Sequence, residues 1–196
     1  RADPADLEAA LREAGRPALV SLMLANNETG VIQPVRAAAD LVHRAGGLLH
    51  CDASQAPGRI AVDLGALGAD LLTLSAHKMG GALGAGALVL QGVLAVNPQM
   101  VGGGQEKFRR AGTENVAAIA AFGAAAEAAR DLPQASAALR DRLEAALAAF
   151  GGAVTILGKD AARLPNTTCL AIDGKVSETL VMALDLAGFA ISAGSA

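Results

Sequence analysis

Short apolar runs alternate with segments whose apolar residues recur every three or four positions, a pattern that predicts crossover units around a largely parallel sheet. Four runs predict strands: Ala18 to Leu24, Gly47 to Cys51, Asp70 to Ser75 and Gly86 to Leu90. Between the first two, Pro34 can open a helix, Val35, Ala38, Val42 and Ala45 form its apolar face, and Gly46-Gly47 can close it. Arg36, Asp40, His43 and Arg44 take its wet face. A further helix is predicted at Pro4 to Ala14.

Thr113 to Arg130 predicts an alanine-rich helix with Thr113 as its N-cap, interrupted by Asp131-Leu132-Pro133. Beyond that break, Leu139, Leu143, Leu147 and Phe150 recur at helical spacing. Val154 to Leu157 and Thr167 to Ile172 read as strands, and Ser177 to Ala187 as a last helix. The pattern predicts an α/β region over residues 1–130 and a smaller α+β region over 131–196. No internal period is found.

Composition narrows the class. Of the 196 residues, 53% are hydrophobic and 18% charged, enough for a substantial core. The run from Ala82 to Val96 is broken by Gly84, Gly86 and Gln91, so a membrane span is not expected. A formal net charge of -3 gives no electrostatic reason to expect nucleic acid or an anionic membrane as partner. The two cysteines, Cys51 and Cys169, lie inside apolar runs and read as core residues rather than a disulfide framework, which suits a reducing cytoplasm. The chain opens without Met or a signal pattern and ends on Ala193-Gly194-Ser195-Ala196, so the expectation is an internal piece of a longer protein.

In open α/β sheets ligands sit beyond the carboxyl ends of the strands. The first strand exits into Asn26-Asn27-Glu28, the second into Asp52-Ala53-Ser54-Gln55, and the third into Ser75-Ala76-His77-Lys78. Each group has an ordinary structural role open to it. Asn26 and Asn27 can shape a turn, Asp52 can cap the next helix, His77 can be a satisfied core histidine and Lys78 a solvated lysine. Should the three strands be parallel neighbours, however, amides, a carboxylate and an amine converge at one edge.

Pyridoxal phosphate is one ligand that needs this mixture. Its aldehyde needs a lysine whose amine is neutral, which partial desolvation favours, and Lys78 suits it. A carboxylate such as Asp52 keeps the pyridine nitrogen protonated. Gln55 or Asn27 can donate to the ring phenolate, while Ser75, the Ala76 amide and His77 suit the phosphate. Gly102-Gly103-Gly104-Gln105-Glu106 could also approach a ligand closely, but a glycine-rich loop alone is a weak signal. No Walker A motif is present, and no GxGxxG follows a strand at a helix start.

The stretches "MLANNETGVIQP", "HCDASQAPGRIAVD", "LSAHKMGGALGAGAL", "GGGQEKFRRAGTENV" and "ISAGSA", taken in order, resemble the cysteine desulfurase family. That family lies within the class V aminotransferase group of fold type I pyridoxal phosphate enzymes, and the match runs over nearly the whole chain. The resemblance implies a mainly parallel sheet in a cofactor domain, followed by part of a smaller α+β domain. It further implies that Lys78 carries the cofactor, Asp52 pairs with the pyridine nitrogen and Gln55 bonds the phenolic oxygen. Asn27 would lie near that oxygen and the substrate carboxylate, and Ser75, Ala76 and His77 would hold the phosphate. Thr113, in "AGTEN", would reach the phosphate held by a second subunit, which implies a homodimer.

The implied reaction converts L-cysteine to L-alanine, leaving an enzyme persulfide whose sulfur passes to an acceptor such as an iron-sulfur scaffold protein. Lys78 would also move the α proton. The family's sulfur-accepting cysteine follows a string like "SAGSA", so it is expected directly after Ala196; neither Cys51 nor Cys169 matches it. Two further departures are Ala82-Leu83 after the glycines, where many relatives have proline and a polar or basic residue, and the lack of the family's ring-stacking histidine. Selenocysteine lyase or another class V relative is the alternative within enzymes. A non-catalytic dimerisation module is the alternative outside them, and the intact Lys78 and Asp52 argue against it.

Overall fold

Four strands hydrogen-bond in the order β1 (Leu19–Met23), β2 (Leu48–Asp52), β3 (Leu71–Ser75) and β4 (Gly86–Leu90). The first three are parallel and β4 runs antiparallel to β3. Each falls within or one residue from the apolar run that predicts it. The register pairs Ser21 with His50, Met23 with Asp52 and Asp52 with Thr73, so these side chains share one face of the sheet. The computed structural model describes residues 1–131 and 135–194. Leu132-Pro133 of the expected interruption, and the terminal Ser195-Ala196, lie outside the described residues.

Two compact units are distinguished, Arg1–Ala25 with Gln33–Pro133, and Asn26–Ile32 with Gln134–Ala196. In the first, α1 (Pro4–Ala14) begins at Asp3, whose carboxylate accepts the Ala5 N–H at 2.8 Å. Helix α2 (Val35–Arg44) covers the other face of the sheet, burying Val35, Ala38, Ala39 and Val42 against the side where Leu49 and Cys51 are fully enclosed. Ala45, expected on that apolar face, is exposed instead because the helix has ended there, and Ala39 takes its place. The wet face is as charged as its sequence suggests: Arg36 pairs with Asp40 at 3.1 Å and His43 meets Asp70 at 2.8 Å.

Two short helical turns follow, α3 (Leu64–Leu67) and α4 (Gln105–Phe108), before α5 (Val116–Ala128). Asn115, not Thr113, caps α5, its side-chain oxygen accepting the Ala118 N–H at 3.2 Å. The helix starts three residues later than expected, and Asn115 is the residue placed to reach its first free N–H groups.

The second unit carries α6 (Ala135–Leu147), a 3-10 segment (Ala148–Ala153), an antiparallel pair β5 (Val154–Ile156) and β6 (Leu170–Ile172), and α7 (Ser177–Leu186). Leu139, Leu143 and Phe150, which share a face by their spacing, are exposed in this chain, and Phe150 falls beyond α6. The Asn26–Ile32 stretch joins this unit through backbone bonds from Ile32 N–H to Ala162 and from Leu164 N–H to Gly30, each 2.8 Å. Arg163 donates to both carboxylate oxygens of Glu144 at 2.8 Å, and Thr168 donates to one of them at 2.8 Å.

Candidate functional site

The three parallel strands end side by side, which brings the Asp52 carboxylate and the Ser75-to-Lys78 turn to neighbouring strand ends in the first unit. Strand β3 passes directly into a single 3-10 turn, Ala76–Met79. Two glycines make that turn possible. Gly80 ends it with φ 88°, the left-handed region that L side chains avoid. At Gly81 an added Cβ would stand 3.0 Å from the Ala76 carbonyl oxygen and 3.3 Å from the Ala125 Cβ, so its bare backbone lets the turn pack against α5. Ala76 anchors the turn and is fully buried, while His77 and Lys78 face solvent.

Ser75 Oγ lies 3.0 Å from His77 Nδ1, so a hydroxyl and an imidazole are presented together. The Ala76 amide, expected as a third donor, is already committed to the Ala85 carbonyl at 3.1 Å, because the pairing with the neighbouring strand runs one residue past Ser75. The partial desolvation expected of Lys78 is likewise not provided by the described residues: it sits on the outer side of a one-turn helix and is exposed.

Asp52 caps no helix. Its Oδ1 accepts the Ser54 N–H at 2.9 Å, and the next helix, α3, takes its cap from Asp63. Burial is the largest single influence on the Asp52 carboxyl and pushes its pKa up. The side-chain and backbone bonds from Ser54, the charge of His50 and a side-chain bond from Thr73 outweigh it together and hold the pKa below the ordinary aspartate value. The group is thus kept ionised. Gln55, three residues on, is half-buried.

Behind Asp52 runs a polar ladder that the reading of single residues misses. Ser21 Oγ is 2.7 Å from His50 Nδ1, and His50 Nε2 is 3.2 Å from Thr73 Oγ1. The signal available was the period-two alternation of three adjacent strands, which puts Ser21, His50, Asp52 and Thr73 on one face. Also unforeseen is the backbone after Gly104, where Glu106, Lys107 and Phe108 all have positive φ (49°, 57° and 63°). Such conformations cost about 1–3 kcal/mol each for non-glycine residues. The Gln105 Oε1 beside them is buried without a hydrogen-bond partner.

Thr113 is exposed in the loop before α5. Asn27 is exposed within the stretch that goes with the second unit, where its neighbour Asn26 shapes the turn by accepting the Glu28 and Thr29 N–H groups at 3.0 and 2.8 Å. Neither cysteine has the character of a reactive thiol. Cys51 is fully buried, and burial, reinforced by the Asp52 charge, pushes its pKa up to about 12. Cys169 is raised by burial and then by Glu28. Among the described residues, no helix is long and apolar enough to cross a membrane, and no group of His, Cys, Asp and Glu could hold a metal ion.

The Aminotransferase class-V family model matches residues 1–196, and the chain belongs to that family. A cysteine desulfurase of Cereibacter sphaeroides is 47% identical over 182 residues, covering 92% of this chain and 47% of the relative. A cysteine desulfurase of Rhodobacter capsulatus is 46% identical over 200 residues, covering 100% of this chain and 51% of the relative. Among solved structures, a NifS-like protein from Rickettsia africae superposes with a TM-score of 0.92 at 36% identity, over 98% of this chain and 55% of that one. The α/β fold with its mainly parallel sheet is therefore that of the NifS-like proteins. The chain spans about half the length of the curated relatives it matches.

Proposed function

We propose that this chain supplies the cofactor-holding residues of a pyridoxal phosphate-dependent cysteine desulfurase, which converts L-cysteine to L-alanine and passes the sulfur to a cysteine thiolate as a persulfide. One observation carries the reading: the ionised Asp52 carboxylate and the Ser75–Lys78 turn emerge from adjacent parallel strands at their carboxyl ends. The names of the relatives support the choice of cysteine as substrate.

The donor set fits the cofactor. A carboxylate held below the ordinary aspartate pKa suits a protonated pyridine nitrogen, and the hydroxyl and imidazole of Ser75 and His77, paired at 3.0 Å, suit a phosphate. When bound, the cofactor supplies an electron-withdrawing ring that stabilises negative charge at the substrate Cα.

The chain's own groups then divide the work. Asp52 keeps the ring nitrogen protonated, Gln55 donates toward the phenolic oxygen, and Ser75 and His77 hold the phosphate. The Lys78 amine carries the cofactor, takes the substrate α proton at Nζ and returns it to carbon. Thr113 reaches the phosphate of a second subunit in a homodimer. In the overall step the substrate C–S bond breaks and a new S–S bond forms on the accepting thiol, with no external oxidant needed. Cys51 is enclosed and Cys169 has a raised pKa, so neither suits that role, and the accepting thiol lies outside this chain. The sulfur goes on to an acceptor such as an iron-sulfur scaffold protein in the cytoplasm.

The test is to supply the full-length protein with pyridoxal phosphate, L-cysteine and a reductant and to measure sulfide and alanine. Equal amounts of the two, retained in Cys51→Ser, are expected. Release of pyruvate and ammonia instead of alanine would refute the reaction.

A further inference from the structure

The peptide that joins Gln55 to Ala56 is held at both of its polar ends. Its N–H donates to the Ala53 carbonyl at 3.0 Å, closing a turn whose first and last residues, Ala53 and Ala56, are fully buried. Its carbonyl accepts an Nη1–H of Arg59 at 2.8 Å, and Arg59 is itself half-buried. Gly58, with φ 75°, reverses the chain so that Arg59 can reach back four residues, and the Arg59 and Ile60 N–H groups both bond the Ala56 carbonyl at 3.0 Å. An arginine kept for surface charge would pair with an acid or extend into water, but Arg59 enters none of the ion pairs among the described residues. We propose that Arg59 is a positioning residue whose guanidinium holds the Gln55–Ala56 peptide and so fixes the direction in which the Gln55 side chain leaves the loop.

The rest of the loop shows why this bond is needed. Upstream, the Ala53 N–H bonds the Thr73 carbonyl of β3 at 3.0 Å and the Ser54 N–H bonds the Asp52 carboxylate at 2.9 Å, so the chain is tied to the strand ends as far as Ser54. Gln55 follows in irregular backbone, with no ladder to hold it. A single bond, from the Ala56 N–H, would leave the peptide plane free to rock about its own axis. A second bond on the opposite edge removes that freedom and with it the play in the Gln55 Cα–Cβ direction. A guanidinium suits the task, because a charge-assisted bond is roughly twice as strong as a neutral one. Arg59 thus acts through Gln55 without itself touching a ligand, and its value to catalysis rests on the reading of Gln55 as the donor to the phenolic oxygen.

Nitrogen relaxation at the Ala56 amide, the other edge of the same peptide, reads this directly in the full-length, cofactor-free protein. An order parameter of about 0.85, the rigid-backbone value, is expected in the unaltered protein, with a fall below about 0.6 in Arg59→Met and recovery in Arg59→Lys, which restores a cationic donor. A mobile amide in the unaltered protein, or one equally rigid in Arg59→Met, would overturn the proposal. In cofactor titrations, Arg59→Met should bind pyridoxal phosphate about tenfold more weakly, the scale of one hydrogen bond to a charged group. In a Gln55→Leu background the same change should alter affinity less than about twofold, because the side chain it positions is gone. An equal loss in both backgrounds would mark Arg59 as a structural residue only and would also overturn the proposal. An Arg59-dependent rigid peptide in a protein whose Gln55→Leu variant binds the cofactor as tightly as the parent would refute the reading of Gln55 while the role of Arg59 in the loop stands.

Discussion

Ser75 Oγ and His77 Nδ1 lie 3.0 Å apart across the fully buried Ala76, so the turn that ends β3 presents two polar groups already oriented by each other. A phosphate that replaces this mutual bond meets both partners without reorganising the turn. Ser75→Ala and His77→Leu should each weaken pyridoxal phosphate binding by about tenfold or more, since a hydrogen bond to a charged group is worth roughly 1.5–3 kcal/mol. The double variant should lose less than the product of the two, because each single change also releases the other partner. Cofactor titration of the full-length protein followed by fluorescence measures all three; unchanged affinity would remove the pair from the phosphate site.

The turn depends on Gly81 having no side chain. An added Cβ would meet the Ala76 carbonyl oxygen at 3.0 Å and Ala125 at 3.3 Å, so the turn would have to lift from α5. Gly81→Val should destabilise the full-length protein by about 1–3 kcal/mol, the usual cost of overpacking. Cofactor affinity should fall with it, because His77 and Lys78 ride on the displaced turn. A variant with the parental urea midpoint and affinity would show that the contact yields freely.

In the second unit, Glu144 and Arg163 form a bidentate pair whose side chains are 11% and 5% exposed. The Arg163 hydrogen bonds, as the largest cause, outweigh burial and hold the Glu144 pKa below its ordinary value, helped by Thr168 and by the charges of Arg163 and Arg140. The native state therefore binds this proton less readily than the unfolded chain does. The pair's contribution is complete above the ordinary glutamate pKa and is lost as pH falls through the lowered native value. Glu144→Gln should abolish that part of the acid sensitivity. Arg163→Met should cost about 3–5 kcal/mol by stranding a buried carboxylate, and Arg163→Met with Glu144→Leu should recover part of it. Unfolding midpoints between pH 3 and 7, roughly spanning the ordinary carboxylate range, decide the matter.

Much of this was legible in the sequence because it depends on local pattern. The apolar runs locate all four strands of the first sheet, and the rule that ligands meet strand ends points to Asp52 and to Ser75 through Lys78, which the structure brings to neighbouring strand ends. What escaped depends on register. His50 lies two residues before Asp52 and looks like an interruption in a strand; only its pairing with Ser21 on one side and the approach of Thr73 on the other reveal the ladder. The bond made by the Ala76 amide is hidden for the same reason, since its partner, Ala85, belongs to the opposing side of the β3–β4 connection. The N-cap fell to Asn115 rather than Thr113 because two residue types with equal capping chemistry stand two positions apart, and only the backbone's entry into the helix chooses between them.

Which amine holds the cofactor is answered directly by borohydride reduction of the full-length, pyridoxal phosphate-loaded protein, which fixes the pyridoxyl group to the lysine that carries it. Peptide mapping should find the added mass on the peptide containing Lys78, at the end of the turn that β3 and Gly80 set in place. Lys78→Ala should take up no label. A pyridoxyl group on Lys107, Lys159 or Lys175 instead would contradict the site built here.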